Sequence, residues 1–125
     1  MMILVFGSNL SGIHGAGAAA IAHKHYGAKW GIGEGLTGKC YAIPTKDKRI
    51  ISRSLPEISQ SVQKFIEYAY QTLDENTYKV TRIGCGLAGF KDSQIAPMFL
   101  DAPDNCFFDE KWKIYLPNKN FWGTF

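Results

Sequence analysis

The densest chemistry in the chain lies in the stretch Asn9-x-x-Gly12-x-x-Gly15-x-Gly17-x-Ala19, which follows the apolar run Met2 to Phe6. Glycines at 12, 15 and 17 let the backbone turn through positive φ and bring bare N–H groups against a ligand, with the positive end of a helix directly behind. That is chemistry for phosphate, and Gly7, Ser8 and Ala16 belong to the same candidate surface. Asn9 offers an acceptor and two donors suited to sugar hydroxyls, although a loop asparagine serves equally well in an Asx turn. His14 lies inside the loop as a candidate hydrogen-bond donor. A second glycine-rich loop, Gly84-Cys85-Gly86-Leu87-Ala88-Gly89 followed by Phe90, offers more free amides.

Other polar residues have plainer roles open to them. Lys46, after Thr45 in "IPTKDKR", reads on its own as a solvated loop charge. To work as a nucleophile its amine must lose a proton, through desolvation or neighbouring positive charge, and Lys48 and Arg49 are candidates for the latter. Cys85 between two glycines raises the separate hypothesis of a thiolate at a helix start, but no histidine is an evident partner and the residue reads as a small liner of the loop. His23 and His25, two apart on a helix, diverge, so no shared metal is expected, and no cofactor is implied.

Gly15-Ala-Gly17-Ala-Ala-Ala20 fits the dinucleotide fingerprint GxGxxA in letters only. Eight residues separate Phe6 from Gly15, where the first glycine should follow its strand at once. Glu34 stands near the distance of a ribose-binding acid, but "WGIGEGL" does not read as a strand end, and no Walker A loop is present.

The elements that must hold these loops alternate strand and helix. Met2 to Phe6 reads as a strand buried on both faces, and Ala16 to Tyr26 as a small-residue helix ended by Gly27. "KCYAIP" is a strand ended by Pro44. A helix then starts around Pro56, with Ile58, Val62, Phe65, Ile66, Ala69 and Leu73 on one face. "YKVTRIG" is a further strand, a helix capped by Asp92 or Ser93 runs towards Leu100, and "KWKIYL" is the expected closing strand. The tail "NKNFWGTF" carries no signal beyond aromatic packing. The order implies one α/β layered domain over 1–125, with both glycine loops at the carboxyl ends of strands, where ligands collect in such sheets.

Composition agrees with a single core: 125 residues, 46% hydrophobic, with a formal net charge of +3 that suits a nucleotide better than a polymer. Three widely spaced cysteines form neither a disulfide framework nor a metal knuckle, and no run is long and apolar enough for a membrane span. A reducing cytoplasm is the expected home, without membrane contact. Oligomeric state is not legible.

The three motifs in order, Asn9 to Ala19, "IPTK" ending at Lys46, and "IGCGLAGF" at 83–90, resemble the macrodomain family over roughly residues 2–101. The likeness is closest to its branch of terminal ADP-ribose glycohydrolases and DNA ADP-ribosyl glycohydrolase antitoxins. The resemblance implies a three-layer α/β/α fold with a mixed sheet and ADP-ribose in a cleft on its crest. It places the distal ribose at Asn9 and the pyrophosphate in the 84–89 loop, with Phe90 either stacking on adenine or plugging the core. It makes Lys46 catalytic at the anomeric carbon, with Asn9 beside it. The implied partner is ADP-ribose or an ADP-ribosylated macromolecule, DNA among the candidate acceptors. Two departures bear on this. Some members carry an acid where this chain has Ala88, which leaves Asp92, read first as a helix cap, or Glu34 as substitutes. The aspartate that reads the adenine amine near the amino terminus is also missing. The alternatives are a non-catalytic module that sequesters ADP-ribose or another nucleotide messenger, and a phosphatase acting on ADP-ribose 1″-phosphate through Asn9 and His14.

Overall fold

A computed structural model describes residues 1–125. Strand β1 (Met2–Asn9) leads through the first glycine loop to helix α1 (Gly17–Tyr26), followed by β2 (Gly35–Thr37), β3 (Cys40–Lys46) and α2 (Leu55–Gln71). Then come β4 (Thr77–Val80), the short α3 (Asp92–Ile95), β5 (Cys106–Asp109) and β6 (Asn120–Gly123). Six strands form one sheet in the order β2-β3-β1-β4-β5-β6, antiparallel only between β2 and β3. The architecture is the expected α/β/α layering around a mixed sheet.

Alternation along the strands builds both layers. Ile3, Val5, Tyr41 and Ile43 face α2 and join a cluster of 20 buried residues that includes Phe65, Phe99 and Trp112. Leu4, Phe6, Cys40 and Ala42 face α1, whose Ala19 and Ala22, with Ala28 just beyond it, complete a cluster of seven. Small residues let α1 lie close, and Gly27 ends it in the left-handed conformation at φ 77. A capping box starts α2: Ser54 Oγ accepts from Glu57 N–H at 3.3 Å while Ser54 N–H donates to Glu57 Oε1 at 3.1 Å. No helix is long and apolar enough to cross a membrane.

Several boundaries differ from the sequence reading, each for a local reason. β3 continues past Pro44 to Lys46 because β2 pairs only with Cys40 to Ala42, so no neighbour there asks for the proline's missing N–H. β4 stops at Val80, where Thr81 donates both its N–H (3.1 Å) and its hydroxyl (2.7 Å) to Val5 O and turns the chain away. Leu73 lies beyond α2 and is exposed. The helix after the second loop passes into a 3-10 turn over Ala96–Phe99, since Pro97 has no N–H to continue it. "KWKIYL" is no strand: Glu110–Trp112 forms a 3-10 turn, with Trp112 and Leu116 buried four residues apart and Ile114 exposed. The closing strand is β6, built from the tail and laid parallel on β5.

Candidate functional site

The parallel strands deliver four chain segments to one edge of the sheet. β1 ends in Asn9, β3 in Lys46 and β5 in Asp109, and β4 runs into Thr81 and Arg82. Ser8 pairs with Pro44 and Asn9 with Lys46, so Thr45 is an extra residue in β3, and this bulge sets Lys46 directly opposite Asn9. Leu10 N–H donates to Lys46 O at 3.0 Å and holds the pair in register.

The two glycine loops close over this edge together. A β-carbon at Gly7 would sit 3.3 Å from the Gly84 nitrogen, and one at Gly17 would sit 3.3 Å from Leu87 Cδ1. Between them lies a cleft of about 500 Å³, within the range of ligand sites. Gly7, Ser8, Asn9, Gly15, Ala16, Gly17, Thr45, Lys46 and the loop Gly84, Cys85, Gly86, Leu87 and Ala88 all line it. α1 opens onto the cleft without a side-chain cap at Ala16 and without an acid in its first turn, so its first amides and the positive end of its dipole are unopposed.

Four expected residues stand elsewhere. Gly12 does not line the cleft; it packs on the segment behind it, where Gly31 N–H donates to Gly12 O at 3.0 Å. His14 is buried at 2% exposure, with Nε2 at 2.8 Å from Lys29 O and its ring edge-on to Phe6 at 5.6 Å. It pegs the loop to the core, so the reading of His14 as a ligand donor is corrected, and with it the histidine on which the phosphatase alternative leaned. Phe90 packs against the large core cluster, and Gly89 serves the turn with N–H to Gly86 O at 3.0 Å.

Asn9 lines the cleft with part of its amide already committed. Nδ2 donates to Ile13 O at 2.8 Å and Oδ1 accepts from Ile13 N–H at 3.0 Å, closing the loop and leaving one donor hydrogen and one lone pair for a ligand. The substitutes for an acid at Ala88 are not in the cleft. Glu34 turns to Lys64 on α2 at 3.9 Å. Asp92 is neither a cap nor a free acid: Oδ1 accepts from Arg82 Nε at 2.8 Å and Trp112 Nε1 at 2.7 Å, and Oδ2 accepts from Arg82 at 2.5 Å. These donors, Arg82 first, hold its carboxyl down at about 2. The Cys85 thiol is pushed up to about 12, by burial first and the Asp92 charge second, which removes the thiolate hypothesis.

Comparison with family models, curated proteins and solved structures finds no match for this chain.

The sequence reading missed several liners. Arg82, whose guanidinium is locked by Asp92, and Asp109, 1% exposed, also line the cleft. Asp109 accepts from Lys111 N–H at 2.9 Å and Thr124 Oγ1 at 3.1 Å, and its charge is among those that favour the protonated Arg82. Arg82 stands two residues beyond β4 and Asp109 is the last residue of β5, and a place at a strand end is the only signal that marked them. Ile50 and Phe125 add apolar surface, the latter from a tail that showed no pattern.

Proposed function

We propose that this chain is a macrodomain-like protein that binds ADP-ribose in the cleft and releases it from a modified acceptor. The observation that carries the reading is the meeting of the uncapped start of α1, the amides of the Gly84–Ala88 loop and the Asn9–Lys46 pair around one cavity. Unopposed amides from two directions suit a pyrophosphate, whose charge the α1 dipole also favours. The distal ribose then falls beside Lys46, where an amine can act on the anomeric carbon or steady the charge that develops when the glycosidic bond opens. Asn9, held by Ile13, orients a sugar hydroxyl with its remaining donor.

The far end of the cleft takes the base. Three strand spacings of about 4.8 Å, roughly 14 Å across the sheet, separate β3, which carries Lys46, from β5, which carries Asp109. Its spare lone pairs are acceptors for an amine on the base.

A second reading has its own observation. No carboxylate lines the cleft near Lys46, since Ala88 stands in the loop and Asp92 and Glu34 face elsewhere; this favours a module that holds ADP-ribose without turning it over. Calorimetry with ADP-ribose, followed by incubation with ADP-ribosylated DNA and ADP-ribosylated glutamyl peptides, separates the two. Binding with release supports the hydrolase, binding without release the module, and absence of binding removes both.

A further inference from the structure

The turn after β3 contains the one backbone conformation in the chain that its residue type opposes. Lys46 and Ser52 bridge as antiparallel partners, and Asp47 organises the residues between them. Ile50 N–H donates to Asp47 O at 3.1 Å and Asp47 N–H donates to Ile51 O at 2.8 Å. Asp47 Oδ1 accepts from Arg49 N–H at 2.8 Å and from Ile51 N–H at 3.1 Å. A tight turn closed in this way ends in a left-handed residue, which hairpins supply as glycine or asparagine. Here it is Ile50, at φ 64, the only non-glycine residue with positive φ. A β-branched side chain is the costliest choice for that region.

Packing within the protein does not repay the choice. Ile50 is 41% exposed and belongs to neither core cluster. It lines the cleft. The hairpin that carries it is tied to both ligand loops, since Ser11 Oγ donates to Lys48 O at 2.8 Å and Ser52 Oγ donates to Ala88 O at 2.8 Å. Ile50 is thus held at the mouth between the two loops, four residues after Lys46.

We infer that Ile50 is a specificity-determining lip that covers the C–H face of the sugar beside Lys46 and shuts water from that end of the cleft. Strain persists at functional positions when the surroundings over-determine it, and the compensating contact here is made only with ligand present. The residues that would relieve the strain, glycine and asparagine, lack the apolar surface. This inference rests on the cleft being an ADP-ribose site.

The test compares wild type with Ile50→Asn, Ile50→Gly and Ile50→Val, by thermal melting without ligand and by calorimetry with ADP-ribose. Ile50→Asn is expected to melt about 2–6 °C higher, because asparagine tolerates the left-handed region. It should bind ADP-ribose about fivefold more weakly, the effect of losing the apolar area that the ligand would cover. Ile50→Gly should show the same weakening with a smaller gain in melting temperature, since glycine adds freedom to the unfolded chain. Ile50→Val keeps the strain and should weaken binding less than Ile50→Asn does, since it gives up only one methylene of the apolar surface. Unchanged affinity in Ile50→Asn, or a melting point several degrees lower, overturns the inference while leaving the proposed function intact. A wild-type protein that does not bind ADP-ribose removes the proposed function and this inference together.

Discussion

Two glycines of the first loop differ, Gly12 being required by the fold and Gly15, on the proposed reading, only by the ligand, and alanine substitution separates them. At Gly12, φ is +68 and an added β-carbon would stand 2.4 Å from Gly31 C and Ile32 N, both backbone atoms that cannot swing aside. The left-handed conformation costs an alanine about 1–2 kcal/mol, and the overpacking about 1–3 kcal/mol. Displacing segment 31–32 also breaks the Gly31 to Gly12 hydrogen bond, worth about 1 kcal/mol. Gly12→Ala should therefore lose about 3–6 kcal/mol, a large share of the 5–15 kcal/mol of a typical domain. At Gly15 an added β-carbon meets nothing within 4 Å and φ is not positive. Gly15→Ala should keep or gain up to about 1 kcal/mol by restricting the unfolded chain. Gly15 lines the cleft, so the new methyl occupies ligand space and ADP-ribose affinity should fall at least about tenfold. Urea titrations give the stabilities and calorimetry the affinities. Equal stability losses in the two variants would refute the division, and full affinity in Gly15→Ala would remove that loop from the ligand.

Lys46→Arg keeps the charge but lacks a neutral amine, so release of ADP-ribose should fall at least about a hundredfold with binding retained; full turnover in a discontinuous release assay excludes the lysine as nucleophile. Asp92 has a folded pKa of about 2 against an unfolded value near 4, so its stabilisation is complete above about pH 5 and is lost as pH falls through 4 towards 2. Asp92→Asn should flatten urea stability across that window, removing about 1–2 kcal/mol of pH dependence after solvent screening; an unchanged pH slope contradicts this. Cys85→Ser should retain turnover and affinity within about twofold, and the native thiol should resist iodoacetamide at pH 7.5, because burial disfavours its thiolate. Rapid alkylation there would show the opposite environment.

What could be read from residue types was whatever local chemistry dictates. The apolar run of β1, the glycine stop of α1 and the three- and four-residue spacing along α2 each depend on neighbours in sequence, and the structure holds them. What could not be read depends on partners far along the chain. The strand end at Val80 follows from Thr81 bonding Val5, and β3 runs through Pro44 only because β2 is too short to reach it. "KWKIYL" has strand composition, but Trp112 is drawn inwards to Asp92, and the sheet edge goes to Asn120–Gly123 instead. The same division holds at the site. The glycine loops declared themselves by composition. Arg82 and Asp109 did not, since a single charged residue at or just past a strand end is visible as a cleft liner only once the strand order is known. His14 misled because a histidine in a glycine loop reads as exposed, whereas the Phe6, His23 and Trp30 rings enclose it.

Charge along the cleft supplies the orientation that shape alone leaves open. The β3 and β1 end of the cleft is lined by Lys46 and the start of α1, the middle by the second loop and Arg82, and the β5 end by Asp109. A ligand with its anionic group towards Asp109 would place like charges together in a buried setting, where such contacts are costly. A ligand reversed, with its diphosphate at the donors and a neutral amine-bearing base at Asp109, satisfies every group. On the proposed reading this polarity forces the sugar to the Lys46 end before any contact specific to the sugar is made. Asp109→Asn tests it: an asparagine keeps the shape and an acceptor oxygen but adds a donor and removes the charge, so ADP-ribose should bind about threefold to tenfold more weakly while inorganic diphosphate binds equally well or better. Weakening of both ligands alike would mean that Asp109 serves only its bonds to Lys111 and Thr124.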